Sequence, residues 1–255
     1  MAIGLLGLRR DKILQDTKVP KTLFYELDDF NAPKKKIFTN EVAEILLLAI
    51  LNEDTINIAP FKSEEVNYSE IYVVYVELKK EKNIALIVEA IQKNIHNPVI
   101  VILGFENKLR FFTATKRLNK AEKGKQVTED TQTTGWLSPQ GDLPQEKKYL
   151  EGLNITNFSF HNLFAFYQEF SNYIYQLALI PFVSDFLFLK KLAIQDIKPA
   201  IEAFRVKEAE VRRLTEEEVK IINFGDRIAI HRKLLDAQKE KEEAGVTIGK
   251  LLEQA

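Results

Sequence analysis

A mixed α/β fold is predicted for this chain: a sheet of four to six strands with flanking helices, followed by a C-terminal amphipathic helical hairpin. Three observations predict it. Segments with helical and with strand periodicity alternate from residue 41 to residue 116. One of the strand segments, "EIYVVYVEL" from Glu70 to Leu78, is continuously apolar and so reads as buried on both faces. The last quarter of the chain carries amphipathic, heavily charged repeats with near-seven-residue spacing.

Taken in order, the spacing divides the chain into an N-terminal arm (1–20), an α/β domain (21–180) and a helical tail (181–255), a helical hairpin or coiled coil. Glu41 to Asn52, "EVAEILLLAILN", places Val42, Ile45, Leu46, Ala49 and Ile50 at i, i+3, i+4, i+7 and i+8, which predicts a mostly buried helix. "TINIAP" predicts a short strand over Ile56 to Ala59, and Glu70 to Leu78 a longer one. Asn83 to Ile95 returns to helical spacing, with Asn83 as its N-cap. "PVIVILGF" and "LRFFTATKR" then form a hairpin, and the strand-helix-strand order ahead of it predicts a parallel crossover.

Residues 119–148 are polar and turn-rich, and a connection of that length without structure of its own is usually functional or mobile. An aromatic stripe of Phe160, Phe164, Tyr167, Phe170 and Tyr175 is assigned to a core-facing helix. In the tail, Pro199 is placed at the start of one helix. Thr215 and Glu218 are read as a capping box opening a second, which Gly225 interrupts.

Composition narrows the chemistry. The absence of cysteine excludes disulfides, thiolate metal sites and thiol nucleophiles. A net charge of −1 across 255 residues gives no overall pull on nucleic acid or anionic lipid, so any such binding needs a local patch. Candidates are Lys34, Lys35 and Lys36 in "PKKK", and Lys116 and Arg117 in "ATKRLNKAEKGK". No long apolar span or signal-peptide pattern occurs, and a cytoplasmic location is expected. His96, His161 and His231 are too dispersed for a metal signature, and no phosphate-binding glycine motif is present; no cofactor is expected.

One stretch carries a catalytic alternative. Glu77-Leu78-Lys79 has the E-x-K spacing of a metal-dependent nuclease half-site, in which the carboxylate holds Mg²⁺ and the lysine sits over the scissile phosphate. That chemistry needs a second acid nearby, because one carboxylate holds Mg²⁺ poorly. The predicted neighbouring strand offers none in its interior, only Glu53 and Asp54 at its approach and Glu64 and Glu65 just past it. A solvated strand end is the plainer reading.

"GLLGL" near the start, "VPKTLFYE" from Val19 to Glu26, "INIA" from Ile56, "TGWL" around Trp136 and "NFGDRIAIHRKLLDAQ" in the tail together resemble domain-of-unknown-function family 4391. The tail departs from the family pattern at Asn223-Phe224-Gly225-Asp226, where a Q-F-N-R-like stretch is usual. The resemblance brings no catalytic residues. It implies a genomic setting beside helicases and adenine-type DNA methyltransferases in restriction-like defence loci. The leading expectation is therefore a non-catalytic subunit that docks onto such a helicase or methyltransferase, or self-associates, through Ile222, Ile228, Ile230 and Leu234 of the tail. No membrane contact is expected. The alternative is a divergent Mg²⁺-dependent nuclease using Glu77 and Lys79.

Overall fold

The computed structural model describes residues 2–8, 14–25, 30–119, 126–139, 144–176 and 194–253. Residues Met1–Leu177 form one compact unit and Ala178–Ala255 a second.

The first unit opens with a single helical turn, α1 (Ala2–Leu5), then strand β1 (Leu14–Lys18) and the short helices α2 (Thr22–Tyr25) and α3 (Ala32–Glu41). Strand β2 (Val42–Leu51) follows at once and leads into the turn α4 (Glu53–Ile56). A two-stranded ribbon, β3 (Phe61–Lys62) with β4 (Asn67–Tyr68), precedes β5 (Ile71–Leu78), α5 (Ile84–Asn94), β6 (Val99–Phe105) and β7 (Lys108–Leu118). Beyond these lie β8 (Gln126–Thr133), α6 (Pro144–Gly152), a 3₁₀ turn and α7 (Leu163–Gln176).

The main sheet is mixed, in the order β1-β2-β5-β6-β7-β8. Strands β5 and β6 are parallel across the α5 connection, as the strand-helix-strand pattern predicts, and every other neighbouring pair is antiparallel. Phe105 pairs with Lys108, so the β6–β7 loop has two residues, Glu106 and Asn107, both at positive φ (46° and 63°). That is the mirror-image turn whose twist suits a hairpin. One face of the sheet carries Ile45, Val74, Val76, Val101 and Leu103, packed against Phe38 of α3 and Ile87, Val88 and Ile91 of α5. Tyr167 of α7 donates its hydroxyl to the carbonyls of Val99 and Ala114, anchoring that helix to the sheet.

Several sequence expectations are corrected. Residues 42–51 are a strand, not a helix. A near-continuous apolar run satisfies both periods, and here a central position between β1 and β5 decides the outcome. Ile56 to Ala59 is not a strand: Asn52 and Thr55 form a reciprocal cap on α4, and Asn57 turns the chain at φ 56°. Asn83 sits ahead of α5 at φ 47° but makes no side-chain cap bond; its amide serves Glu41 instead. The polar segment contains β8, an edge strand that can be polar because only one of its sides is paired, and α6. Phe160 lies ahead of α7 and is exposed, whereas Tyr167, Phe170 and Tyr175 are buried.

The second unit is an antiparallel helical pair, α8 (Ile194–Lys220) and α9 (Phe224–Glu253). Leu214, Leu234 and Ala237 bury one another with Val211 beside them. The ion pairs Lys207–Glu240 and Lys241–Glu208 flank that seam. Pro199 and Thr215 both lie inside α8, and the Thr215 hydroxyl donates to the Val211 carbonyl rather than capping a new helix. The true cap is Asn223, whose Oδ1 accepts from the Gly225 and Asp226 amides at 2.8 and 3.2 Å. Gly225 therefore belongs to the first turn of α9 and does not interrupt it.

Candidate functional site

The carboxyl ends of β5 and β6 meet the amino end of β2, because β2 runs antiparallel to β5. Glu77, one residue from the end of β5, has Glu44 of β2 as its cross-strand partner and Gly104 of β6 on its other side. Residues directly opposite in an antiparallel pair share a face, with Cβ atoms about 5 Å apart. Two carboxylates thus stand side by side, two residues before the E-x-K lysine in the chain.

Tyr75, two residues before Glu77 on the same face, donates its hydroxyl to Glu77 Oε2. Burial raises the Tyr75 pKa above the usual phenol range, and the Glu77 hydrogen bond and charge raise it further, as does the Glu44 charge. The hydroxyl therefore stays protonated and remains a donor. Gly104 makes room for this pair. A Cβ there would lie 1.9 Å from the Tyr75 oxygen and 2.5 Å from Glu77 Oε2.

Lysines surround the acids. Lys18 Nζ lies 3.4 Å from Glu44 Oε2. Lys79 donates its ammonium to the Thr39 carbonyl at 3.1 Å and its amide to the Glu41 carbonyl at 2.7 Å, so it stays at the α3–β2 junction. Lys21 donates to the Val42 carbonyl, and its pKa is lowered by partial burial and then by the charges of Lys79 and Lys18. Glu41, buried at 7% exposure, accepts from Asn83 Nδ2 at 2.7 Å through Oε1, while its Oε2 is buried with no hydrogen-bond partner among the described residues.

The structure separates the sequence candidates. Glu77 stands opposite Glu44, an acid that a helix over residues 41–52 hides from the sequence reading, and Lys79 follows two residues on with its ammonium on the Thr39 carbonyl. Glu53 and Asp54 follow Leu51, which pairs with Ile71 at the far end of β5, about 20 Å from Glu77 at strand rise. Glu64 adjoins Glu65, whose carbonyl accepts from Leu118 at that same far end. None of these three can share an ion with Glu77.

Lys34, Lys35 and Lys36 lie on α3, the last two exposed. Lys116 is not a surface cation: its ammonium is buried and donates to the carbonyls of Ile95 and Asn97 (2.8 Å to the latter) at the end of α5. Arg117 is paired with Glu129 of β8. In the second unit Ile222 is 99% exposed, Ile228 is exposed, Ile230 is half-buried and Leu234 is buried in the helix seam. Among the described residues no group of three or more His, Cys, Asp or Glu is placed to hold a metal, and no helix is long and apolar enough to cross a membrane.

The family model described as a domain of unknown function (DUF4391) matches residues 11–240. The chain belongs to the DUF4391 family. Comparison with curated proteins and with solved structures finds no match. The family description names no activity, so function rests on the geometry of the site.

Proposed function

We propose that this family member is a metal-dependent nuclease whose site is formed by Glu44, Glu77 and Lys79. The observation that carries this reading is the register of β2 on β5, which puts Glu44 opposite Glu77 and supplies the second acid that E-x-K chemistry requires. Two carboxylates are enough for Mg²⁺, which keeps several waters and takes its remaining ligands from substrate phosphate. A metal bound there would acidify a water and neutralise charge on the phosphate. In the hydrolysis, a water oxygen bonds to phosphorus and one P–O ester bond breaks. Lys79 is the cation nearest the strand end and stabilises charge developing on the phosphate oxygens. Tyr75 fixes the Glu77 carboxylate, leaving Oε1 free to ligate. The test is plasmid nicking with Mg²⁺ or Mn²⁺. Glu44→Gln and Glu77→Gln should each lower the rate by about 100-fold or more, with Glu53→Gln unchanged. Full activity in Glu44→Gln sinks the reading.

A second reading, a docking subunit, is compatible with the first and is supported by a different observation. Val219, Ile222, Phe224 and Ile228, at the turn between α8 and α9, are all exposed. The turn is the natural place for a protein contact, and the genomic setting that the family resemblance implies makes a helicase or methyltransferase the proposed partner.

A further inference from the structure

Building on the nuclease reading, we infer that the substrate is double-stranded nucleic acid, held by its phosphates on a lysine rim formed by α3 and the turn between β5 and α5. The rim is joined to Lys79 at the end of β5. Thr39 of α3 accepts from Lys79 through its carbonyl and donates its hydroxyl to the Lys35 carbonyl. Lys35 lies six residues before Glu41, about 9 Å along the helix. Lys80 and Lys82 follow Lys79 in the turn, and both are exposed.

The rim lacks the features of an ordinary solvated face. On α8 and α9 basic residues sit among acids that neutralise them: Arg213 binds both Glu210 and Glu217, and Lys207 binds Glu240. On α3, "APKKKIFTNE", the only acid is Glu41, which is buried and held by Asn83. Lys35 and Lys36 have no ion-pair partner among the described residues; the acids at 26, 28 and 29 lie outside those residues. Glu81, between Lys80 and Lys82, accepts from the Trp136 indole at 2.7 Å. Lys35, Lys36, Lys80 and Lys82 thus lie exposed on α3 and in the turn that follows the Glu77 strand.

The aromatics beside the rim, Tyr25 and Trp136, are half-buried and held by the fold. Single-stranded nucleic acid is usually held by aromatic side chains that take successive bases. Among the described residues the exposed large hydrophobics of the first unit are Leu23 and Phe160, neither on α3 nor in the turn after β5. Trp136, which donates its indole to Glu81 of that turn, is half-buried against the core cluster. Tyr25, the aromatic closest to Lys35, is half-buried, with its hydroxyl 3.1 Å from Thr39 Oγ1 and the Lys35 ammonium over its ring. Cations without stacking aromatics read a phosphate backbone, which a duplex presents on its outside.

Fluorescence anisotropy of a labelled DNA duplex with the full chain, Ca²⁺ replacing Mg²⁺, tests this across a salt series. The variant Lys35→Ala/Lys36→Ala/Lys80→Ala/Lys82→Ala should bind about tenfold or more weakly, and its log affinity against log salt should be shallower by up to about 3.6, since each phosphate contact contributes about 0.9. Its melting temperature should match wild type, because all four side chains are exposed. Glu77→Gln should keep duplex binding. Unchanged affinity and slope in the lysine variant overturn the inference. So does single-stranded DNA binding as tightly as duplex, or polyglutamate displacing duplex at equal charge, which would make the rim an acidic-protein surface. Duplex binding through the rim with no cleavage by wild type refutes the nuclease reading and leaves the rim a duplex-binding surface. Cleavage that ignores the rim refutes the rim alone.

Discussion

Lys116 shows how far a residue's role can depart from its letter. In "TATKRL" it reads as a surface cation, yet it points into the core and closes the end of α5 through two carbonyls. Burial pushes its pKa down to about 7. The unfolded chain keeps this proton to the ordinary lysine range, so between about pH 7 and 10 the unfolded state binds more protons and stability rises with pH. Below about pH 7 both states carry the proton, and the penalty for the buried charge is fully present. Above about pH 10 the sign reverses, because the buried hydroxyls of Tyr149 and Tyr167 have raised pKa values and the unfolded chain loses those protons first. Thermal melts should therefore show maximal stability near pH 10, and Lys116→Met should abolish the rise that precedes it. Gly104 makes a second residue-scale case. Gly104→Ala should cost about 1–3 kcal/mol in a denaturant titration, because Tyr75 must leave its place over the glycine. It should also reduce cleavage, since Glu77 then loses its donor.

At the scale of elements, the legible parts are those whose period and punctuation agree. Strand β5, helix α5 and the β6–β7 hairpin could be read because β-branched runs, helical spacing and a short polar stretch between two strand runs each point one way. Residues 42–51 could not, because Leu-rich sequence satisfies a helix period and only the ladder to β1 and β5 makes it a strand. That single ambiguity hid half of the candidate site: Glu44 on a helix is one more surface acid, whereas on β2 it faces Glu77. Thr215–Glu218 misled for a related reason, since the capping-box pattern also fits a helix interior where the threonine bonds back one turn. The β6–β7 turn allows a direct check. Glu106 holds φ 46°, which asparagine adopts more readily than glutamate, so Glu106→Asn should stabilise the fold by about 0.5 kcal/mol in a denaturant titration. A loss would mean that the glutamate side chain makes a compensating contact.

For the whole molecule the question is what each unit needs from the other. One core cluster of the first unit runs from Phe24 to Phe112, with Trp136 packed against it, and its members among the described residues all precede Leu177. A chain ending at Leu177 should therefore fold cooperatively, and an outright loss of its melting transition would show that the tail is part of the core. The second unit has a different economy. Its seam takes Leu214, Leu234 and Ala237 out of water, so Leu234, expected at a partner surface, is already committed. Among the described residues of this unit, the most exposed apolar side chains are at the turn, where Ile222 is 99% and Phe224 77% exposed. Burying a few hundred Å² of such surface yields several kcal/mol at about 25 cal/mol per Å², before association costs. Asn223 preforms the contact by capping α9, and that cap contributes about 1 kcal/mol. Ile222→Asp with Phe224→Asp should leave helix content and melting unchanged, because neither side chain is in the seam. The same variant should abolish any concentration-dependent mass increase in light scattering, or any complex with a co-expressed helicase or methyltransferase. If the wild-type chain self-associates and the double variant does so equally well, the turn is not the contact and the docking reading fails, while the sheet site stands or falls on Glu44.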